Sequence, residues 1–193
     1  MKKILSLLLV GGFIFLFGCA KNGTTDPTTI ETTTTDTVIN EQVTDERQTY
    51  ESKKDAFSIQ FPGTRTFQEN VYGSSVMFSS PTNEEDKIRE NVGIMKKPMS
   101  KEYTLEEYYA LTKSELEAQA DYAEVENTTI TINGVEAKKI IFKSSMNNTK
   151  LQFEQVFLIK NKIAYIITYT ATEDTFDQYI KKVNEMIITL EIK

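Results

Sequence analysis

Histidine and tryptophan are absent from this 193-residue chain, and cysteine occurs once, at Cys19. Without histidine the chain lacks the commonest general base, the commonest transition-metal ligand and the usual switch near neutral pH. A single thiol leaves no internal disulfide and no multi-thiolate metal site, so stability must come from packing. Glycine is sparse beyond residue 50, where only Gly63, Gly73, Gly93 and Gly134 occur, none in a run that could cradle a phosphate. No Walker loop, dinucleotide fingerprint, zinc motif, Ser-x-x-Lys or nucleophile elbow is present. Basic residues are outnumbered, 22 against 28 acidic. That balance argues against nucleic acid and anionic headgroups as electrostatic partners.

Long apolar runs are also missing, with one exception. Ile4–Phe17 is apolar or small apart from Ser6, and it follows Lys2 and Lys3. It is shorter than the roughly 18 residues that a membrane span needs. A charged start, a short apolar core and a small residue before a boundary read as a secretory signal peptide over residues 1–18. The boundary Leu16-Phe17-Gly18-Cys19 resembles the bacterial lipobox. The resemblance implies a diacylglyceryl thioether on the Cys19 sulfur, cleavage between Gly18 and Cys19, and acylation of the new amino terminus, typically with palmitate. The chemistry suits a thiolate nucleophile, and two or more acyl chains anchor stably where one is marginal. The expected location is the extracytoplasmic face of a cell membrane, held by lipid. Loss of Lys2 and Lys3 with the leader leaves 20 basic residues against 28 acidic, a net charge of −8.

Residues 19–50 read as the lipidated Cys and a flexible tether. Nine of the fourteen residues from Thr24 to Thr37 are Thr, and such a segment buries too little apolar surface to offset its ordering entropy. About thirty flexible residues give an end-to-end distance of ~30 Å, and several times that when stretched.

Residues 51–193 read as one domain with a core of its own. Phe57–Phe61 alternates apolar and polar and stops at Pro62-Gly63, which predicts a half-buried strand and a turn. Ser75–Ser79 and Asn91–Met95 predict two more strands. Thr104 with Glu107 forms a capping box, opening a helix that buries Leu105, Tyr108, Tyr109, Thr112 and Leu116 and fades near Ala120 to Tyr122. Thr128–Ile132 and Glu136–Phe142 flank Asn133-Gly134, the strongest short hairpin signal. Leu151–Ile159 and Ile163–Thr170 flank a tight turn around Asn161 and are apolar on both faces, so each face needs cover. A last helix, capped near Asp174 or Thr175, carries Phe176, Tyr179, Ile180, Val183, Ile187 and Leu190 at helical spacing. The fold class is α+β, an antiparallel sheet flanked by helices.

"FSIQFP", "SSVMFSSP", "ENVGI", "TLEEYYALTKSELE", "TINGVEAKKIIF" and "QVFLIKNKIAYIITYTATEDTFDQY" follow one another in an order that resembles the PsbP-related proteins, over about Asp55 to Lys193. The resemblance implies an α/β/α sandwich around an antiparallel sheet. The family's best-known members are extrinsic subunits on the lumenal side of photosystem II, and many bacterial relatives are exported lipoproteins. This chain has no histidine, so histidine-based metal sites do not carry over.

Chemistry-bearing candidates are few. Asn83-Glu84-Glu85-Asp86 and Glu173-Asp174-Asp177 collect hard oxygen ligands that suit calcium, but neither has an EF-hand's spacing or turn glycine. A solvated loop and a helix N-terminus that favours acidic residues account for them without a metal. Gln155 falls between Phe153 and Phe157 on an apolar face, where it either lines a pocket or is a hydrogen-bonded core amide. Tyr108 and Tyr109 lie about 100° apart on their helix, so each is core or one is an interface anchor. Asn22, Asn127 and Asn147 begin Asn-x-Thr triplets without a bacterial meaning. The resulting expectation is a non-enzymatic binding or assembly domain, without cofactor or metal, that docks on a membrane complex or exported protein. The alternative is a carrier of a small apolar ligand or lipid. The first expected outcome concerns Cys19. Cys19→Ser leaves an unprocessed precursor and blocks incorporation of labelled fatty acid in vivo; maturation and labelling like wild type contradict the lipoprotein reading.

Overall fold

Two antiparallel sheets and two helices make up the computed structural model, which describes residues 46–81, 88–119 and 121–193. The leader, Gly18, Cys19, Asn22, most of the Thr-rich segment and the Asn83–Asp86 group lie outside the described residues. The strands are β1 (Arg47–Ser52), β2 (Phe57–Pro62), β3 (Thr66–Val71), β4 (Ser74–Ser79) and β5 (Asn91–Pro98), followed by α1 (Leu105–Glu117). Then come β6 (Ala123–Ile132), β7 (Val135–Met146), β8 (Thr149–Lys160), β9 (Ile163–Thr172), α2 (Phe176–Ile187) and the short β10 (Glu191–Ile192). The large sheet has the order β3-β4-β5-β9-β8-β7-β6, and the small one β1-β2-β10.

The hairpins are tight because their turn residues accept positive φ. Asn133 (46°) and Gly134 (79°) join β6 to β7, Asn147 (50°) and Asn148 (64°) join β7 to β8, and Asn161 (53°) and Lys162 (60°) join β8 to β9. Two consecutive residues at φ > 0 match the right-handed twist of the flanking strands, and Asn tolerates that region better than other side chains. The strands run longer than their apolar patterns predict, because register continues beyond the buried stretch: Met146 still pairs with Thr149, and Ile132 with Val135.

Alternation on β7, β8 and β9 sends two side-chain sets to opposite faces. On one face Ile140, Phe142, Phe157 and Ala164 meet Tyr108, Tyr109 and Leu116 of α1. Both tyrosines are buried, which makes them core, with Tyr108 and Tyr109 ring centroids 6.4 and 6.1 Å from Phe157. Thr104 closes the predicted capping box: its Oγ1 accepts from the Glu107 N–H at 3.1 Å, and its own N–H donates to Glu107 Oε2 at 2.9 Å.

On the other face Val156, Leu158, Tyr165, Ile167 and Tyr169 meet α2 and the small sheet in one continuous core. α2 contributes Phe176, Val183, Met186 and Ile187, and the small sheet contributes Tyr50, Phe57, Ile59 and Phe61. Helix alone therefore does not cover this face; α2 shares it with three strands. The class is α+β. Thr175 is the N-cap of α2, yet its hydroxyl bonds Thr172 Oγ1 at 3.0 Å and caps no helix N–H.

β1 corrects the expected tether boundary at residue 50. Arg47–Tyr50 pairs with β2 from Arg47↔Pro62 to Tyr50↔Ile59, and Tyr50 is buried among Phe57, Phe67 and Phe78. Gly63 is required where β1 begins, since a Cβ there would stand 2.8 Å from the Glu46 carbonyl oxygen. The described residues all fall within one compact unit, Thr44–Lys193. Phe157 is the side chain on which α1 rests. Phe157→Ala is expected to cost about 3–5 kcal/mol and to lower the urea midpoint, whereas Leu111→Ala, at a half-exposed α1 position, leaves it nearly unchanged.

Candidate functional site

The least ordinary chemistry in the molecule is a carboxylate sealed beneath α2. Glu154 sits in the middle of β8, paired with Ile141 on β7 and Tyr169 on β9. The alternation that sends Phe153, Gln155 and Phe157 toward α1 sends Glu154, Val156 and Leu158 toward α2. Glu154 is 0% exposed, and neither carboxylate oxygen makes a hydrogen bond of acceptable geometry. The nearest cation is Lys139 Nζ on β7, 4.0 Å from Oε2. That ammonium is closer to Glu126 Oε1 on the edge strand, at 2.8 Å. Burial pushes the Glu154 carboxyl up to about 7; attraction to Lys139 and the amide of Asn184 on α2 only partly offset it. Burying a charge without close partners favours the neutral form.

A second buried polar group stands on the same side. Arg65, after β2, is 8% exposed, and its Nη1 has no partner. Burial lowers its pKa, with Tyr169, Glu90 and Tyr179 opposing the shift. Glu90 is 3% exposed and accepts from Ser80 Oγ at 2.9 Å. Tyr169 donates to the Phe176 carbonyl at 3.3 Å, at the start of α2. Tyr169 ties the start of α2 to the sheet, and the Ser80–Glu90 bond joins the chain after β4 to the chain before β5. These groups are enclosed by protein and present no face to a substrate.

The side chains singled out from sequence fall elsewhere. Gln155 is a core amide on the α1 face; its Nε2 donates to Thr168 Oγ1 at 3.2 Å, while Oε1 is buried without a partner. It lines neither of the two cavities described below. Tyr109 Oη accepts from Asn127 Nδ2 at 2.7 Å, so the hydroxyl is satisfied at the rim of that core. Glu173 and Asp174 stand before α2 and Asp177 in its first turn. Glu173 pairs with Lys143 at 3.4 Å, an arrangement that serves a helix N-terminus. Asn147 is a turn residue. Among the described residues no group of three or more acidic side chains is arranged to hold a metal ion, and no helix is long and apolar enough to cross a membrane. Glu154 itself was missed by periodicity reading, although its position in a strand apolar on both sides is the signal for it.

Two cavities of about 420 Å³ open at one end of the large sheet, on opposite sides of the β8–β9 turn. Met99, Glu102, Tyr103, Ile159, Asn161 and Lys162 line the first. The second lies between the β6–β7 turn and the C-terminal segment, with Ile132, Leu158, Lys160, Leu190 and Lys193 in its wall.

No protein family model matches the chain, and no curated protein matches it either. Solved structures do. Cyanobacterial PsbP from Synechocystis sp. PCC 6803 superposes with a TM-score of 0.59 at 12% identity, over 78% of this chain and 94% of that one. PA94, a protein of unknown function from Pseudomonas aeruginosa, gives 0.57 at 14% identity, over 76% and 97%. LpqN of Mycobacterium tuberculosis, a protein involved in cell envelope biogenesis, gives 0.54 at 10% identity, over 77% and 84%. The chain has a PsbP-like fold.

Glu154 generates a pH prediction. Its folded pKa, about 7, lies above the unperturbed 4.5. Between these values the folded state keeps a proton that the unfolded state has released, so stability falls as pH rises and levels off above about 7. Full loss amounts to roughly 3 kcal/mol. Glu154→Gln removes this dependence: relative to wild type the variant gains stability from about pH 4.5 to about 7. Denaturant titrations across that range measure it, and parallel curves contradict it.

Proposed function

We propose that this PsbP-like domain is a non-enzymatic binding or assembly module, held at the extracytoplasmic face of a membrane by lipid on Cys19 and docking on a membrane complex or another exported protein. The sandwich reading belongs to the same proposal: α1 forms one outer layer, and α2 with the small sheet forms the other. One observation carries the functional reading. The carboxyl with the most perturbed proton affinity, Glu154, is fully enclosed. A general acid must come within hydrogen-bond reach of the proton it transfers, and a sealed one cannot. The remaining acidic clusters among the described residues lie at a helix start or a strand edge, where solvent and dipole favour the charged form.

The similar folds support this by analogy only, since a fold does not imply a function. Cyanobacterial PsbP and the envelope protein LpqN share the scaffold at low identity. On such a scaffold the turns and edge strands vary while the two-sided core persists, and recognition would reside in that variable surface.

The test is crosslinking of the full chain in its native membrane, followed by mass spectrometry of the captured material. Capture is expected to survive scrambling of Thr24–Thr37 and to be lost when Ile167→Asp unfolds the core. Purified protein is expected to hydrolyse no glycosidic, ester or peptide substrate. Turnover of such a substrate that disappears when one specific carboxylate is neutralised overturns the reading.

A further inference from the structure

The lysines are not spread evenly over the molecule. Pro98, at the end of β5, pairs with Ile163, and so does Lys160 at the end of β8. The β8–β9 turn, the end of β5 and the β6–β7 turn therefore share one end of the large sheet. The β1–β2 turn joins them, because Tyr165 Oη donates to the Asp55 carbonyl at 3.4 Å and Lys96 Nζ lies 3.8 Å from Asp55 Oδ1. β10 ends there too, where Lys160 Nζ donates to the Ile192 carbonyl at 2.6 Å and the Lys193 N–H to that of Ala56 at 2.8 Å.

This end gathers Lys53 and Lys54 from one turn, Lys96, Lys97 and Lys101 from the end of β5 and beyond, Lys160 and Lys162 from the β8–β9 turn, and Lys193. They slightly outnumber the carboxylates there, which are Glu51, Asp55, Glu69, Glu102, Glu107, Glu136 and Glu191. Lys53 and Lys97 make no ion pair among the described residues. The pair of Lys162 with Glu102, at 3.2 Å, is largely exposed and holds neither side chain firmly. The three described arginines, Arg47, Arg65 and Arg89, all lie elsewhere. Apolar side chains stand among the lysines: Tyr72 in the β3–β4 turn is 47% exposed, and Met99 and Tyr103 line the first cavity.

We infer that this lysine-rich end lies against an anionic phospholipid surface. Protein interfaces are enriched in arginine and depleted in lysine, because a planar guanidinium holds a carboxylate with two bonds. Long lysine stems without arginine suit a diffuse field of headgroups, to which each lysine near the surface is attracted. Tyrosine and methionine between them suit the boundary between headgroup and acyl chain. The net negative charge, which argued against headgroups as partners, is thus a property of the whole chain and not of this end. The chain enters the domain at Glu46 and Arg47, beside Gly63 at the opposite end of β2. From Cys19 to Glu46 the chain could stretch to roughly 90 Å, about twice the ~40 Å length of the longest strands, so an anchor at Cys19 permits this orientation.

Lysine footprinting of the full chain tests it, independently of partner capture. The chain is incorporated into vesicles of phosphatidylcholine alone, or of phosphatidylcholine and phosphatidylglycerol in equal parts, and exposed to a water-soluble acetylating reagent. Lys53, Lys97, Lys101 and Lys162 are expected to react severalfold more slowly on the anionic vesicles, with protection lost at high salt. Lys143 and Lys150, at the other end, react alike on both. The triple variant Lys97→Glu, Lys101→Glu and Lys162→Glu loses protection at Lys53. Equal reactivity on the two vesicle types, or protection that salt does not reverse, overturns the proposal.

Discussion

Burial of β8 and β9 on both faces is the constraint from which the other layers follow. Phe157 on one side and Val156, Leu158, Ile167 and Tyr169 on the other are each 1% exposed or less. A sheet with one apolar face can leave the other in water; this one cannot. At roughly 25 cal/mol per Å² of apolar surface withdrawn from water, leaving either face bare would forfeit most of the net stability of a domain this size. α1 answers one face. On the other, α2 covers only part of the core. The small sheet fills the remainder, with Tyr50 and Phe61 packed against Phe67 and Phe78 of β3 and β4; Phe61 and Phe78 have ring centroids 4.8 Å apart.

That two-sided burial also explains the molecule's oddest group. Glu154 lies where alternation demands an inward side chain, and its neighbours on the strand leave no route to solvent. Lys139 compensates incompletely, because it is shared with Glu126 at the edge. A buried pair in such geometry stabilises little by itself, yet breaking it exposes the cost of burying the remaining charge. The Glu154 carboxyl therefore marks where the core tolerates polarity, beneath α2, and it links the stability of that layer to pH.

Sequence alone reveals those elements whose signal is local. The capping box at Thr104 and Glu107, the Asn133-Gly134 turn and the helical spacing of Phe176 to Ile187 each involve a few neighbouring residues, and the structure reproduces them. The two-faced pattern of β8 and β9 was equally plain. β1 and β3 were illegible because RQTYES and TFQENV carry one or two large apolar residues each. Their partners, β2 and β4, are the next strands in the chain, but the aromatic cluster that covers them joins the two sheets and forms only in the folded domain. Glu154 was legible only in part: a strand apolar on both faces leaves a carboxylate no exposed side, but its enclosure beneath α2 depends on the packed second layer. The gathering of lysines at one end was invisible because it depends on the β1–β2 and β8–β9 turns, the end of β5 and Lys193 converging through strand register.

The account stands or falls on whether the two-faced strands are the last part of the molecule to open. Amide hydrogen exchange on the purified protein measures this directly. Amides of β8 and β9 are expected to exchange only through global unfolding, with protection equal to the unfolding free energy from denaturant titration, while the edge strands β3 and β6 exchange faster through local opening. Exchange of β8 and β9 as fast as that of β3 and β6, under conditions where the protein remains folded, would contradict it.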